Sequence, residues 1–275
     1  MTKPDIKVMV AVPTFLSVFH TALCEHLKKL LKTEEIVLRS VTDDPDEQKE
    51  RLNRFLVQAN PTALIAISVR PDSETITSYT AAGVPIVLID EETAGVSTIT
   101  TDNVTGGRLA GEYLIGKGRK KIAIVSGRTK VKGGYNAEQR LKGFQQALSF
   151  NGLSIPPGCA IEVPNYSRED GVEVMPKLLE KEIDAVFCAA GDNCALGLLS
   201  VARERGVLIP DDVAIIGFDD LLIAQVSTPS LTTIKQPLSD MAYAANKMAV
   251  TDRAEILRKP QHVVFNPEIV VRQSA

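Results

Sequence analysis

An apolar run that ends in two carboxylates, Val213-Ala214-Ile215-Ile216-Gly217-Phe218-Asp219-Asp220, is the stretch with most chemistry in it. Consecutive apolar residues suit a parallel strand buried on both faces, and Gly217 is expected to turn the backbone sharply after it. In open α/β sheets ligands bind outside the carboxyl ends of the strands, which is where Asp219 would lie. The same design recurs along the chain. Pro13, Thr14, Phe15, Leu16, Ser17, Val18 and Phe19 follow one apolar run, Ser68 and Arg70 another, and Asp90 and Glu91 a third. Asn136 and Arg140 open a helical segment, Asn165 and Tyr166 follow a strand, and Asp192 and Asn193 precede another helix. Singly, each has an ordinary structural role: Asp192 as a helix N-cap, Arg140 as a surface ion-pair partner, Phe19 as core. Together they describe a site lined by carboxylates, a guanidinium and aromatic faces. Such a site suits a small polyol or heterocycle held by charge-assisted hydrogen bonds and ring contacts.

The elements that must position these residues alternate. Strands are predicted at residues 7–12, 35–40, 63–68, 85–89, 121–125, 159–163, 185–188 and 213–218. Helices are predicted at 18–31, 45–58, 73–82, 105–117, 138–151, 167–180, 193–205 and 239–257, and a short strand pair at 263–265 and 268–271 closes the chain. This alternation implies βαβ units and parallel sheets. The fold expected is α/β, two Rossmann-like lobes around a cleft. Its lobes are 1–102 with 236–263, and 103–235 with 264–275, joined by short crossing strands because no Pro/Ser/Gly-rich linker separates them.

Composition narrows the function. The 275 residues carry a net charge of −3, so the chain has no electrostatic footprint for nucleic acid, and Lys117 to Lys121 reads as a solvated turn. Cys24, Cys159, Cys188 and Cys194 have no C-x-x-C spacing and read as reduced thiols of a cytoplasmic protein. No apolar run is long enough to span a membrane. There is no G-x-G-x-x-G, no P-loop and no G-x-S-x-G elbow, and His20, His26 and His262 form no metal pair, so neither cofactor, metal nor catalytic residue is expected.

A series of motifs in fixed order then resembles the effector-binding core of the LacI/GalR family of bacterial transcription regulators, itself similar to periplasmic sugar-binding proteins of type I. Its carriers are Gly83-Val-Pro-Ile-Val-Leu-Ile-Asp90, Thr101-Asp-Asn-Val-Thr-Gly-Gly-Arg108 and Gly116-Lys-Gly-Arg-Lys-Lys-Ile-Ala123. They continue through Arg140-Leu-Lys-Gly-Phe144, Ala185-Val-Phe-Cys-Ala-Ala-Gly-Asp192 and Ile209-Pro-Asp-Asp-Val-Ala-Ile-Ile-Gly-Phe-Asp-Asp220. Pro229-Ser-Leu-Thr-Thr-Ile-Lys-Gln-Pro237 and Pro267-Glu-Ile-Val-Val-Arg272 complete the series. The resemblance implies that Arg140, Asp219 and Asp192 are the main polar ligands of an effector, with Tyr166 against it. Asn136 and the loop 14–19 (Thr14, Phe15, Phe19) would line the pocket, Arg70 and Asp90 would face it from the first lobe, and Gln236 would sit near the crossing strands.

Departures point away from a common pentose or hexose. Gly191 stands where an Asn often precedes the Asp, and Glu91 replaces a frequent Arg after Asp90. The resemblance further implies a homodimer, with Leu221-Leu222-Ile223-Ala224 as a candidate patch, and operator binding through a helix-turn-helix headpiece. The first strand begins near Ile6, so the headpiece is expected to have been removed from a longer regulator. Two other readings remain at this point: a solute-binding protein serving a transporter or chemoreceptor, and a Rossmann-like enzyme acting on a nucleotide or sugar.

Overall fold

A computed structural model describes residues 6–13, 17–31, 35–42, 44–129 and 135–275. The first passage runs β1 (Lys7–Pro13), α1 (Val18–Leu30), β2 (Glu35–Val41), α2 (Pro45–Ala59), β3 (Ala63–Ile67), α3 (Ser73–Ala81), β4 (Ile86–Ile89) and β5 (Ser97–Thr101). The second runs α4 (Asn103–Gly116), β6 (Ile122–Ser126), α5 (Tyr135–Phe150), β7 (Ala160–Glu162), α6 (Arg168–Leu179), β8 (Ala185–Cys188), α7 (Asp192–Glu204), β9 (Ala214–Asp219), α8 (Leu222–Val226) and β10 (Thr232–Lys235). After it come α9 (Leu238–Asn246), a π-helical turn (Lys247–Thr251), α10 (Arg253–Arg258), β11 (His262–Phe265) and β12 (Glu268–Val270).

Two compact units result: Met1–Thr101 with Pro237–Phe265, and Asp102–Gln236 with Asn266–Ala275. Each holds one six-stranded sheet, ordered β11-β5-β4-β3-β1-β2 in the first and β12-β10-β9-β8-β6-β7 in the second. All pairings are parallel except β12 against β10.

Local chemistry starts the helices. Ser17 accepts from the His20 backbone N–H and meets the His20 ring in return, closing a capping box ahead of α1. Asp72 and Asp102 accept from the N–H groups three residues on, ahead of α3 and α4. The core of the first unit gathers Met9, Leu52, Leu64, Tyr79 and Leu88, and the Tyr79 hydroxyl donates to the Leu52 carbonyl. In the second unit the helices pair through glycines. A Cβ on Gly143 of α5 would lie 1.9 Å from the Val104 carbonyl oxygen of α4, and one on Gly171 of α6 would lie 2.0 Å from the Cys194 carbonyl oxygen of α7.

Several expectations are corrected. The terminal strands do not pair with each other: β11 lies against β5 and β12 against β10, in different sheets. The threonine-rich β5 and β10 are strands in their own right, buried despite their hydroxyls. The helix expected over 239–257 is interrupted by the π turn. Gly217 makes no turn; it sits inside β9, and the turn falls on Asp219 and Asp220, with φ of 112° and 57°. Asp192 is the first residue of α7 rather than its N-cap, which is Gly191.

Candidate functional site

The second unit concentrates its polar side chains at the carboxyl ends of β8, β9 and β10. Arg140, on the second turn of α5, is buried with 8% exposure. Its Nε donates to Asn103 Oδ1 at 2.7 Å, its Nη1 donates to the Ala189 carbonyl at 2.9 Å, and its guanidinium carbon lies 3.6 Å from the Phe218 ring centroid. These contacts fix the plane of the fork, and the ring face adds a cation–π attraction. Among the described residues Nη2 has no hydrogen-bond acceptor. Asn103 also donates to Asn136 Oδ1 at 3.0 Å, so one buried chain of side chains links α4 and α5. Asn103 joins the candidate site by these contacts and was not foreseen from the sequence, where its only signal is an amide at a helix start.

At the end of β9, Asp219 accepts from Gln236 Nε2 at 2.7 Å, and both side chains are buried. Asp220 instead accepts from Arg272 Nη2 at 2.5 Å. Beneath this turn lies Asp192, fully buried, accepting from Thr233 Oγ1 at 2.6 Å and from the Leu221 N–H at 2.8 Å. Burial, reinforced by the Asp219 charge, holds the Asp192 carboxyl well above the usual carboxylate range. The missing side chain of Gly217 makes its room: a Cβ there would sit 2.3 Å from Asp192 Oδ1. Gly191 has φ 105° and ψ 167°, a backbone region open essentially to glycine alone, and a Cβ on it would lie 3.0 Å from Asp219 Oδ2. Tyr166 adopts φ 57° and lays its phenol over Gly127, whose Cβ would fall 2.2 Å from the hydroxyl.

In the first unit the ends of β3 and β4 meet. The Ser68 hydroxyl donates to Asp90 Oδ2 at 3.0 Å, and both residues are left-handed, with φ of 51° and 65°. Such strain in non-glycine residues collects at functional sites. Glu91 follows with only 3% exposure, and its Oε2 has no hydrogen-bond partner among the described residues. Burial first, and then the Asp90 charge, push the Glu91 carboxyl up to about 7, against the pull of Arg70. Arg70 itself is half-buried. Phe19 is buried on α1, edge-on to His20 with ring centroids 5.5 Å apart. Thr14 and Phe15 lie outside the described residues.

The structure thus brings Arg140, Asn136, Asp192, Asp219 and Gln236 together in one unit and Asp90, Glu91 and Arg70 in the other. Among the described residues no group of three His, Cys, Asp or Glu side chains could hold a metal ion, and no helix is long and apolar enough to cross a membrane.

Comparison with known proteins gives these geometries a lineage. Residues 112–275 match the family described as periplasmic binding protein-like domain. The chain is 33% identical over 193 residues to the helix-turn-helix-type transcriptional regulator DegA of Bacillus subtilis, a match covering 70% of this chain and 56% of that protein. It is 30% identical over 244 residues to the transcriptional repressor PurR of Klebsiella pneumoniae, covering 87% and 70% respectively. The chain belongs to the LacI family. A LacI family regulator from Enterococcus faecium, solved with bound ribose, superposes with a TM-score of 0.84 at 26% identity over 98% of both chains. LacI-type regulators, rather than transport proteins, are therefore the frame in which the site is read. The chain spans little more than half the length of DegA, so it corresponds to a part of that regulator.

Proposed function

We propose that the chain is the effector-sensing and dimerisation core of a LacI-type transcriptional regulator, cytoplasmic and without catalytic activity. The effector is a small polar molecule, a sugar, nucleoside or related metabolite, and the residues proposed to contact it are Arg140, Asp219, Gln236, Asn136 and Asp90. Arg140 carries this reading. A guanidinium immobilised on three sides by Phe218, Asn103 and Ala189, with Nη2 left over, is pre-oriented to donate to a ligand hydroxyl or carboxylate without losing side-chain freedom. Asp192, both of whose oxygens serve Thr233 and Leu221, acts here as the positioning residue that holds the Asp219 turn.

Effector binding selects one conformation of the regulator, and its influence is set by its differential affinity for the alternatives. Operator contact comes through a helix-turn-helix headpiece outside these 275 residues, because a net charge of −3 gives little means of neutralising phosphates. The purified chain should show a raised melting temperature with at least one member of a panel of D-ribose, hexoses, disaccharides and nucleosides. A flat response across that panel counts against a sugar or nucleoside sensor.

Dimerisation in this reading uses α8. Leu221 and Ala224 are buried in their own unit, which corrects the expected patch, whereas Leu222 and Val226 are each 70% exposed one helical turn apart. The chain should weigh as a dimer by light scattering at micromolar concentration, and Leu222→Asp with Val226→Asp should shift it to monomer. A dimer unmoved by both changes would place the contact elsewhere.

A further inference from the structure

Resting on the sensor reading above, the geometry points to an effector that carries an ammonium group and a carboxylate on one polyol frame, the first taken by Asp90 and Glu91, the second by Arg70. The juxtaposition comes from the sheet. β3 and β4 are neighbours with Ile67 opposite Ile89, and the Ser68 N–H donates to the Ile89 carbonyl, so Arg70 and Glu91 leave adjacent strand ends. Ser68 and Asp90, joined by their side chains and both left-handed, lock those two exits together.

What stands out is that opposite charges at neighbouring exits do not pair. Arg70 has neither a hydrogen bond nor an ion pair among the described residues. Glu91 is 3% exposed and its Oε2 has no partner there either. Among the described residues the Glu92 backbone N–H is the one hydrogen bond that acts on the Glu91 carboxyl, and it leaves Oε2 unserved. A buried carboxylate oxygen left unserved is costly, and a nearby guanidinium would ordinarily resolve the cost by meeting it. A ligand bearing both charges satisfies each group at once: ammonium N–H donors go to the carboxylates, and the guanidinium fork donates to a ligand carboxylate. A neutral sugar leaves the Glu91 charge uncompensated. The charged groups acting on Glu91 are Asp90 and Glu92, which hold its proton on, and Arg70, which opposes them. Because the ammonium pairs only with the ionised form, affinity for the zwitterion, whose α-ammonium group stays protonated throughout, should rise between pH 6 and pH 8.

Four probes of one carbon skeleton separate the charges: D-glucose, D-glucosamine, D-gluconate and D-glucosaminate, titrated calorimetrically into the full chain. The zwitterion should bind about tenfold or more tighter than D-glucose, as loss of one charge-assisted hydrogen bond implies. Glu91→Gln should remove the advantage of the amino-bearing probes while leaving that of the carboxylate, and Arg70→Gln should do the converse. D-Glucosaminate binding no tighter than D-glucose, absence of binding by all four included, overturns the inference, as does an amino preference that survives Glu91→Gln. If D-glucose binds best and Arg140→Ala abolishes that binding, the zwitterion inference falls and the sensor reading stands. Binding indifferent to Arg140→Ala would bring down both.

Discussion

Gly143→Ala is expected to cost about 3 kcal/mol or more of stability, the upper range for overpacking a close-packed interior. The added Cβ would meet the Val104 carbonyl oxygen at 1.9 Å, its carbon at 2.7 Å and the Arg108 nitrogen at 3.0 Å, all backbone atoms of α4. No side-chain rotation relieves such a clash, so α5 must back away from α4 and loosen the fully buried Phe144 beside it. The same movement pulls Arg140 from Asn103, because the two lie on the separating helices. Urea unfolding followed by circular dichroism reads the loss, with Gly116→Ala as control. Gly116 lies on α4 with nothing within 4 Å of its Cβ position, so alanine there should be neutral or stabilising by up to about 1 kcal/mol. Equal midpoints for the two variants would show that the helices do not pack through Gly143.

Glu91 should make the stability of the first unit depend on pH in the sense opposite to an ordinary carboxylate. Its folded pKa is about 7 against a reference of 4.5, so between those values the folded state holds a proton that the unfolded state has lost. Stability contributed by this group is fully present below about pH 4.5 and is lost as pH rises through 7. The span corresponds to about 3 kcal/mol at roughly 1.4 kcal/mol for each pH unit. Glu91→Gln removes the dependence and, being unable to ionise, should be the more stable protein at pH 8. Denaturation midpoints of the two proteins at pH 5 and pH 8 check this; wild type and variant declining in parallel would contradict a buried, proton-holding Glu91.

The central strands β1, β3, β4, β6, β8 and β9 were legible because each carries a short apolar run between amphipathic segments. β5 and β10 were not, since Ser97-Thr-Ile-Thr-Thr101 and Thr232-Thr-Ile-Lys235 read as polar, although their hydroxyls and β-branched carbons fit a buried sheet with hydrogen-bond partners. α8 is too short to show a period. The sequence led to Arg140, Asp192 and Asp219 as site residues, but their division of labour depends on contacts among three strands and two helices. Only the structure reveals that Gly217 is the space Asp192 occupies, or that Asn103 holds the Arg140 fork. The burial of Glu91 was equally hidden, because a charged residue in a connecting loop is ordinarily exposed.

Arg140 and Asp219 are the two residues expected to act most directly on the effector. The most direct measurement is calorimetric titration of the sugar or nucleoside that raises the melting temperature most, into wild type, Arg140→Ala and Asp219→Asn, at a temperature where all three are folded. A charge-assisted hydrogen bond contributes about 1.5–3 kcal/mol, so each variant should bind about tenfold to a hundredfold more weakly. Arg140→Ala will also melt lower without ligand, because it loses Asn103, Ala189 and the Phe218 ring, which is why affinity and not melting is decisive. Affinities equal to wild type in both variants would contradict the account and leave Arg140 and Asp219 as scaffold.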